Sequence, residues 1–372
     1  MNARDFFPLG KAKGKAFCNR VIETEWLKDN LLATKHSLVM APRRFGKTSL
    51  AEHAIEKCGL QYTHLNFNTC TTEADIDSVI RRGISVLIGK TFGPIETLLQ
   101  SVKRYVKHIK PKMAIGTEYA SLELTTQTSS SPVENIEEAL NLMEKLLHEK
   151  NKKAVLLLDE FQTVGLISKG SGVEAAIRNV VQNMKHLSII FSGSQRGLLK
   201  QMFESSNRPL YKLCRKLHLQ RIEASHYDRY LNQVAGLTWK KELNKEVFEK
   251  IMFLSERHPY YVNYLCDIIW SECKTSPTLK NIDHAFNLMV EEERSDVQAE
   301  LSNLSFTQKK VLKFIAKIKN EGLYATQALV EIGLAQSTIS AAVKVLILKD
   351  ILEKEGENFK IVNPMIKFLL IE

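Results

Sequence analysis

The sequence predicts an α/β fold in which a parallel sheet carries helices on both faces, followed by a helical block and a tail of helices with two short strands. Three observations carry this. Short apolar runs of strand length alternate with helical periodicities through about the first 220 residues. The strands then stop, and three segments follow with apolar residues three and four apart. About the last 70 residues change pattern again. With 372 residues, 44% of them hydrophobic, the chain has enough apolar material for two or three cores of domain size. No stretch reaches the roughly 18 apolar residues of a spanning helix. Residues 1–15 lack the apolar run and small-residue cleavage site of a secretory signal, so the expected compartment is cytoplasmic, with no membrane partner.

Strands are expected at 37–40, 62–67, 154–158 and 187–191, each apolar and each ending in a polar or turn-prone cluster. Between Pro94 and Pro111, Ile95, Leu98, Leu99, Val102, Tyr105, Val106 and Ile109 fall on one helical face, leaving Lys103, Arg104, Lys107 and Lys110 outside. Residues 125–131 are a polar patch, read as a surface loop. Helices are expected at 227–234, 245–254 and 260–273, and the acidic cluster Glu291, Glu292 and Glu293 on a helix joining the block to the tail. The tail reads as two helical segments, a turn at Gly333, a third helix from Ser337 and apolar stretches at 350–352 and 359–362, the order of a winged helix. The expected division is 1–222, 223–300 and 301–372.

Six cysteines lie far apart with no CxxC, so no zinc knuckle or redox pair is spelled out. The net charge of +10 permits contact with nucleic acid or an anionic membrane surface.

The chemistry is concentrated at three strand ends. In SLVMAPRRFGKTSL (37–50), a strand leads into Ala41, Pro42, Arg43, Arg44, Phe45 and Gly46, and Lys47, Thr48 and Ser49 open a helix. This is the Walker A order of a P-loop NTPase. Backbone N–H groups and the positive helix end surround the β-phosphate of ATP, Lys47 reaches the β/γ oxygens, and the Thr48 hydroxyl ligates Mg2+. Ala41 stands where the pattern asks for glycine. In AVLLLDEFQ (154–162), an apolar strand delivers Asp159 and Glu160 at its C-terminal end, where open α/β sheets bind ligands. Asp159 is expected to hold the metal through water, and Glu160 to orient and deprotonate the attacking water. The alternative is a solvated acidic turn. In IIFSGSQRG (189–197), Ser194 and Gln195 are candidates to sense the γ-phosphate, ahead of Ser192. The alternative there is a plain strand-to-helix turn. No GxSxG occurs in this segment, which argues against a serine hydrolase.

Taken with FCNRVIETEWL (17–27), SGSQRGLLKQMF (193–204), RPLY (208–211) and HPYYVNYL (258–265), these motifs resemble the archaeal-type ATPase family, a STAND-like branch of the AAA+ P-loop ATPases. The resemblance implies an ATPase core, a helical lid, a C-terminal winged helix, and Mg-ATP binding and hydrolysis coupled to conformational change. It also assigns Asn19, Arg20 and Pro259 to the adenine. Where the family has a glycine-arginine pair after PLY, this chain reads PLYKLCRK, which puts Leu213 at the arginine position and leaves Arg208 or Arg215 as substitutes.

Two partner readings stay open. Residues 78–112 hold eight basic residues and one acid, and 196–221 seven and one, which suits an ATPase acting on DNA. The expected recognition helix, AQSTISAAVKVL (335–346), has only Gln336 and Lys344 as long polar side chains, which suits a slow ATP-gated switch docking a protein partner through its lid and winged helix.

Overall fold

Five short segments carry the central sheet of the computed structural model, which describes residues 5–93, 99–115, 120–126, 130–168, 172–317 and 322–371. They are β1 (Ser37–Met40), β2 (Gln61–Asn66), β5 (Ala154–Asp159), β6 (Leu187–Gly193) and β7 (Arg215–His218), all parallel in the order β2-β5-β6-β1-β7. Parallel strands covered on both faces bury every residue, and β1, β5 and β6 do so. On one face Leu156, Leu158, Ile189 and Phe191 pack with Ile80 and Ile84 of α3 (Glu73–Phe92), Leu140 and Met143 of α5 (Pro132–Glu149) and Ile177 of α7 (Gly172–Val181). The alternate residues Val155, Leu157 and Ile190 are also fully buried and point to the opposite face, which α2 (Lys47–Cys58) covers, with α1 (Val21–Leu32) packed on α2.

This core unit, Val21–Ala41 with Lys47–Leu219, also holds α4 (Leu99–Tyr105) and the antiparallel hairpin of β3 (Ile109–Ile115) and β4 (Ala120–Thr126). It further holds α6 (Gln162–Ile167) and α8 (Arg196–Glu204). The hairpin corrects the helix expected over 94–111, of which 94–98 lie outside the described residues. The helix ends at Tyr105, and just beyond Val106 the N–H groups of Lys107, His108 and Ile109 donate to the Glu138 carboxylate instead of to helical carbonyls. The loop expected over 125–131 is likewise shorter. Thr125 and Thr126 pair in β4, while Ser131 caps α5 in a capping box with Glu134; 127–129 lie outside the described residues.

The second unit gathers Met1–Arg20, Pro42–Gly46 and Gln220–Glu372. Its helices are α9 (Ala224–Trp239), α10 (Lys245–Leu254), α11 (Pro259–Glu272), α12 (Leu279–Ser302), α13 (Phe306–Lys317), α14 (Thr326–Ile332), α15 (Gln336–Leu348) and α16 (Pro364–Ile371). A hairpin of β8 (Leu352–Glu355) and β9 (Asn358–Ile361) follows α15, so the tail has the expected element order. One apolar cluster runs through these helices and takes in Phe6 and Phe7. The Phe7 ring lies 4.8 Å from Trp270, and Tyr230 donates its hydroxyl to the Phe6 carbonyl at 2.6 Å, so the N-terminal residues dock on α9 and α11. Arg221 ties the tail to the helical block. Its guanidinium donates to the carbonyls of Glu256 (2.7 Å) and Val362 (3.0 Å), and Glu256 also pairs with Lys367 at 2.8 Å.

Candidate active site

β1 ends at Met40, and Ala41, fully buried, begins the turn into α2. Gly46 sits at φ +83°, a region that favours glycine, so this position needs its missing side chain. Lys47 is buried and reaches back across the loop to donate from Nζ to the Ala41 carbonyl at 3.1 Å. Its ammonium is thereby held at the end of β1.

The sheet register places the remaining groups. Leu157 pairs with His64 of β2 on one side and Ile190 of β6 on the other, so His64, Asp159 and Ser192 share the face that α2 covers. Thr48, in the first turn of α2, donates its hydroxyl to Asp159 Oδ2 at 2.8 Å. Ser192 donates to Oδ1 at 2.5 Å, and His64 Nε2 meets Oδ2 at 3.2 Å. Burial would raise the pKa of Asp159, but the hydrogen bonds from His64, Ser192 and Thr48 outweigh it and hold the carboxyl well below its ordinary range. An ionised carboxylate beside a hydroxyl is a pair of hard oxygen donors, and it fits Mg2+.

Glu160 follows at φ +52°, the left-handed region that non-glycine residues seldom occupy and that clusters at functional sites. This turn directs its side chain towards the end of β6. Three donors converge on one oxygen: Ser194 Oγ at 2.8 Å, the Ser194 N–H at 3.4 Å and Gln162 Nε2 at 2.5 Å all reach Oε2. Among the described residues, none donates to Oε1. The carboxylate is therefore fixed in direction with one oxygen left open. Gly193 makes room for this arrangement, since a Cβ there would stand 2.0 Å from Gln162 Oε1.

Gln195 is the N-cap of α8 and its side chain makes no capping bond, so the structure does not bring it into this set. Ser49 is buried in the first turn of α2. His64, Glu52, Ser192 and Gln162 complete the carboxylate surroundings; of these only Ser192 is a candidate from the sequence.

In the second unit, Arg44 of the loop lies over the Tyr260 ring at 3.9 Å and pairs with Glu293 at 3.5 Å. Tyr260 and Tyr261 donate their hydroxyls to the two oxygens of Glu293, at 3.0 and 3.1 Å. Phe45, buried, meets the His258 ring edge-on at 4.7 Å, while Arg43 is exposed and Pro42 buried. Pro259 is the first residue of α11, half-buried. Asn19 and Arg20 are consecutive residues at φ +60° and +66°, the second of them buried.

The two substitute arginines are both engaged. Arg208 pairs with the fully buried Glu174, and Arg215 donates to Asn30 at 2.9 Å.

A family model for an ATPase domain predominantly from Archaea matches residues 17–265, more than half of the chain. Among solved structures, a Walker-type ATPase of Pyrococcus abyssi is similar at 16% identity and a TM-score of 0.71, over 99% of this chain and 100% of that one. The ORC2 protein of Aeropyrum pernix, in ADPNP–ADP complexes, is similar at 15% identity and a TM-score of 0.58, over 100% and 96%. At these identities the likeness is one of fold. No curated protein matches the chain.

Proposed function

This chain belongs to the family of ATPase domains found predominantly in Archaea and is an ATPase, and from that premise we propose how its residues divide the work. The observation that carries the proposal is the Glu160 carboxylate, held by three donors on Oε2 and open on Oε1. A general base needs a fixed direction and a free lone pair, and this carboxylate has both. Glu160 takes the proton of the attacking water at Oε1. Ser194 and Gln162 keep it aimed; Ser194, with Gln195 beside it, also senses the γ-phosphate. Lys47 and the backbone of Ala41, Pro42, Arg43, Arg44, Phe45 and Gly46, with Ser49, hold the phosphates. Thr48 and Asp159 hold Mg2+, which when bound neutralises charge on the β/γ oxygens. Asn19, Arg20 and Pro259 enclose the adenine. ATP binding and hydrolysis drive a conformational change in a STAND-like protein of the cytoplasm, with an ATPase core (1–222), a helical lid (223–300) and a winged helix (301–372). Among the described residues no single helix is long and apolar enough to cross a membrane.

The partner is DNA on the reading favoured by charge. In 196–221 three of the seven cations are paired with acids, Arg208 with Glu174, Lys216 with Glu204 and Arg221 with Glu256. Those of α4 and β3 are not: Lys103, Arg104, Lys110 and Lys112 are exposed and make no ion pair among the described residues. The exposed Phe306, Val330 and Leu348 of the tail favour the second reading, a slow ATP-gated switch docking a protein.

Hydrolysis of Mg-ATP with and without duplex or single-stranded DNA, at low and high salt, tests both. We expect turnover that Lys47→Ala abolishes, with nucleotide affinity lowered by about 100-fold or more, the scale of ~3 kcal/mol for a charge-assisted contact to phosphate. Stimulation by DNA that fades with salt supports the first partner reading; a slow rate indifferent to DNA supports the second. Turnover by the Lys47→Ala protein at the unmutated rate would contradict the site.

A further inference from the structure

We infer that Glu52 and His64 are a positioning pair for Asp159, set into the sheet-facing side of α2 and the neighbouring strand so that the metal-holding carboxylate keeps one orientation. This rests on the reading of Asp159 as the residue that holds Mg2+. Thr48 and Glu52 are four residues apart on α2 and therefore share one helical face. That face meets the sheet where β2 and β5 bring His64 and Asp159 together two register positions apart. The imidazole stands between two acids. Its Nε2 is 3.2 Å from Asp159 Oδ2, and its Nδ1 is 3.7 Å from Glu52 Oε1. Glu52 and Asp159 are both more than nine-tenths buried, and without the ring two carboxylates would face each other across a poorly solvated gap.

The distribution of donors on Asp159 shows what the ring contributes. Oδ1 is tied to β6 and to its own turn, by Ser192 Oγ and the Glu160 N–H. Oδ2, the oxygen beside Thr48, has donors from α2 and β2, namely Thr48 and His64. Removing His64 leaves Thr48, itself a candidate metal ligand, as the one donor to Oδ2 among the described residues, so this oxygen loses its protein donor whenever the Thr48 hydroxyl turns to a metal. Residues that orient a metal-holding carboxylate in this way commonly change metal affinity 10- to 100-fold when removed.

The test is nucleotide binding, read by calorimetry with ADP, over a Mg2+ titration and in EDTA, for the full chain and its His64→Ala, His64→Gln, Glu52→Gln and Asp159→Asn variants. His64→Ala should raise the half-saturating Mg2+ about tenfold and leave the affinity in EDTA within about twofold. His64→Gln keeps a side-chain N–H and should recover most of the loss; Glu52→Gln should fall between. An unchanged Mg2+ requirement in His64→Ala overturns the inference, as does an equal loss with Mg2+ and EDTA, or His64→Gln no better than alanine. Asp159→Asn separates the two levels. If it shifts the Mg2+ requirement and His64→Ala does not, only the positioning pair is wrong; if neither shifts it, the metal assignment of Asp159 falls as well.

Discussion

Glu160 in the core unit and Glu293 in the helical unit are both carboxylates braced by hydroxyl donors, yet they are braced in opposite senses. Glu160 takes all its donors on Oε2. Glu293 commits both oxygens, Oε1 to Tyr260 and Arg44 and Oε2 to Tyr261. The first sits at a strand end in a left-handed conformation, half-exposed; the second sits within a regular helix. A carboxylate with both oxygens engaged holds structure together, and one with a free oxygen fixed in space can do proton chemistry.

Glu293→Gln breaks the structural side of the comparison. It removes the anion that Arg44 pairs with and leaves an amide to serve two tyrosine hydroxyls, at an expected cost of about 2–3 kcal/mol in urea unfolding. A loss under about 0.5 kcal/mol would show that the cluster is not what holds the loop residue Arg44 to α11.

A smaller effect comes from pH. Burial, reinforced by the charges of Arg221 and Arg44, keeps the His258 pKa well below its ordinary value. The unfolded chain therefore binds a proton near pH 6.5 that the folded chain refuses, so this contribution is fully present above about pH 6.5 and is lost as pH falls. The expected slope below that pH is about 1.4 kcal/mol per unit, down to the folded pKa, and His258→Gln should remove it. A variant with the same slope as the parent would place the acid sensitivity elsewhere.

Much of the site was legible because its parts are contiguous. Strand, turn, Lys47 and Thr48 occupy one run, and Asp159 and Glu160 end another. The sequence was silent on His64, because its role arises from strand order: β2 lies next to β5, and nothing local says so. Gln162 ends the run AVLLLDEFQ with no role that spacing discloses, and its approach to Gly193 and Glu160 supplies one. The strand β7 has no sequence signal, because RKLH has one large apolar residue and lies at the sheet edge. Phe6 and Phe7 were visible as apolar residues, but their partners, Tyr230 and Trp270, lie more than 200 positions away.

The most direct test of the central claim is Glu160→Gln, which preserves shape and the ability to accept from Ser194 while removing the basic oxygen. We expect ATP affinity within about threefold of the unmutated protein and single-turnover hydrolysis slowed by about 10²- to 10⁴-fold. Hydrolysis at the unmutated rate, with binding intact, would contradict the account.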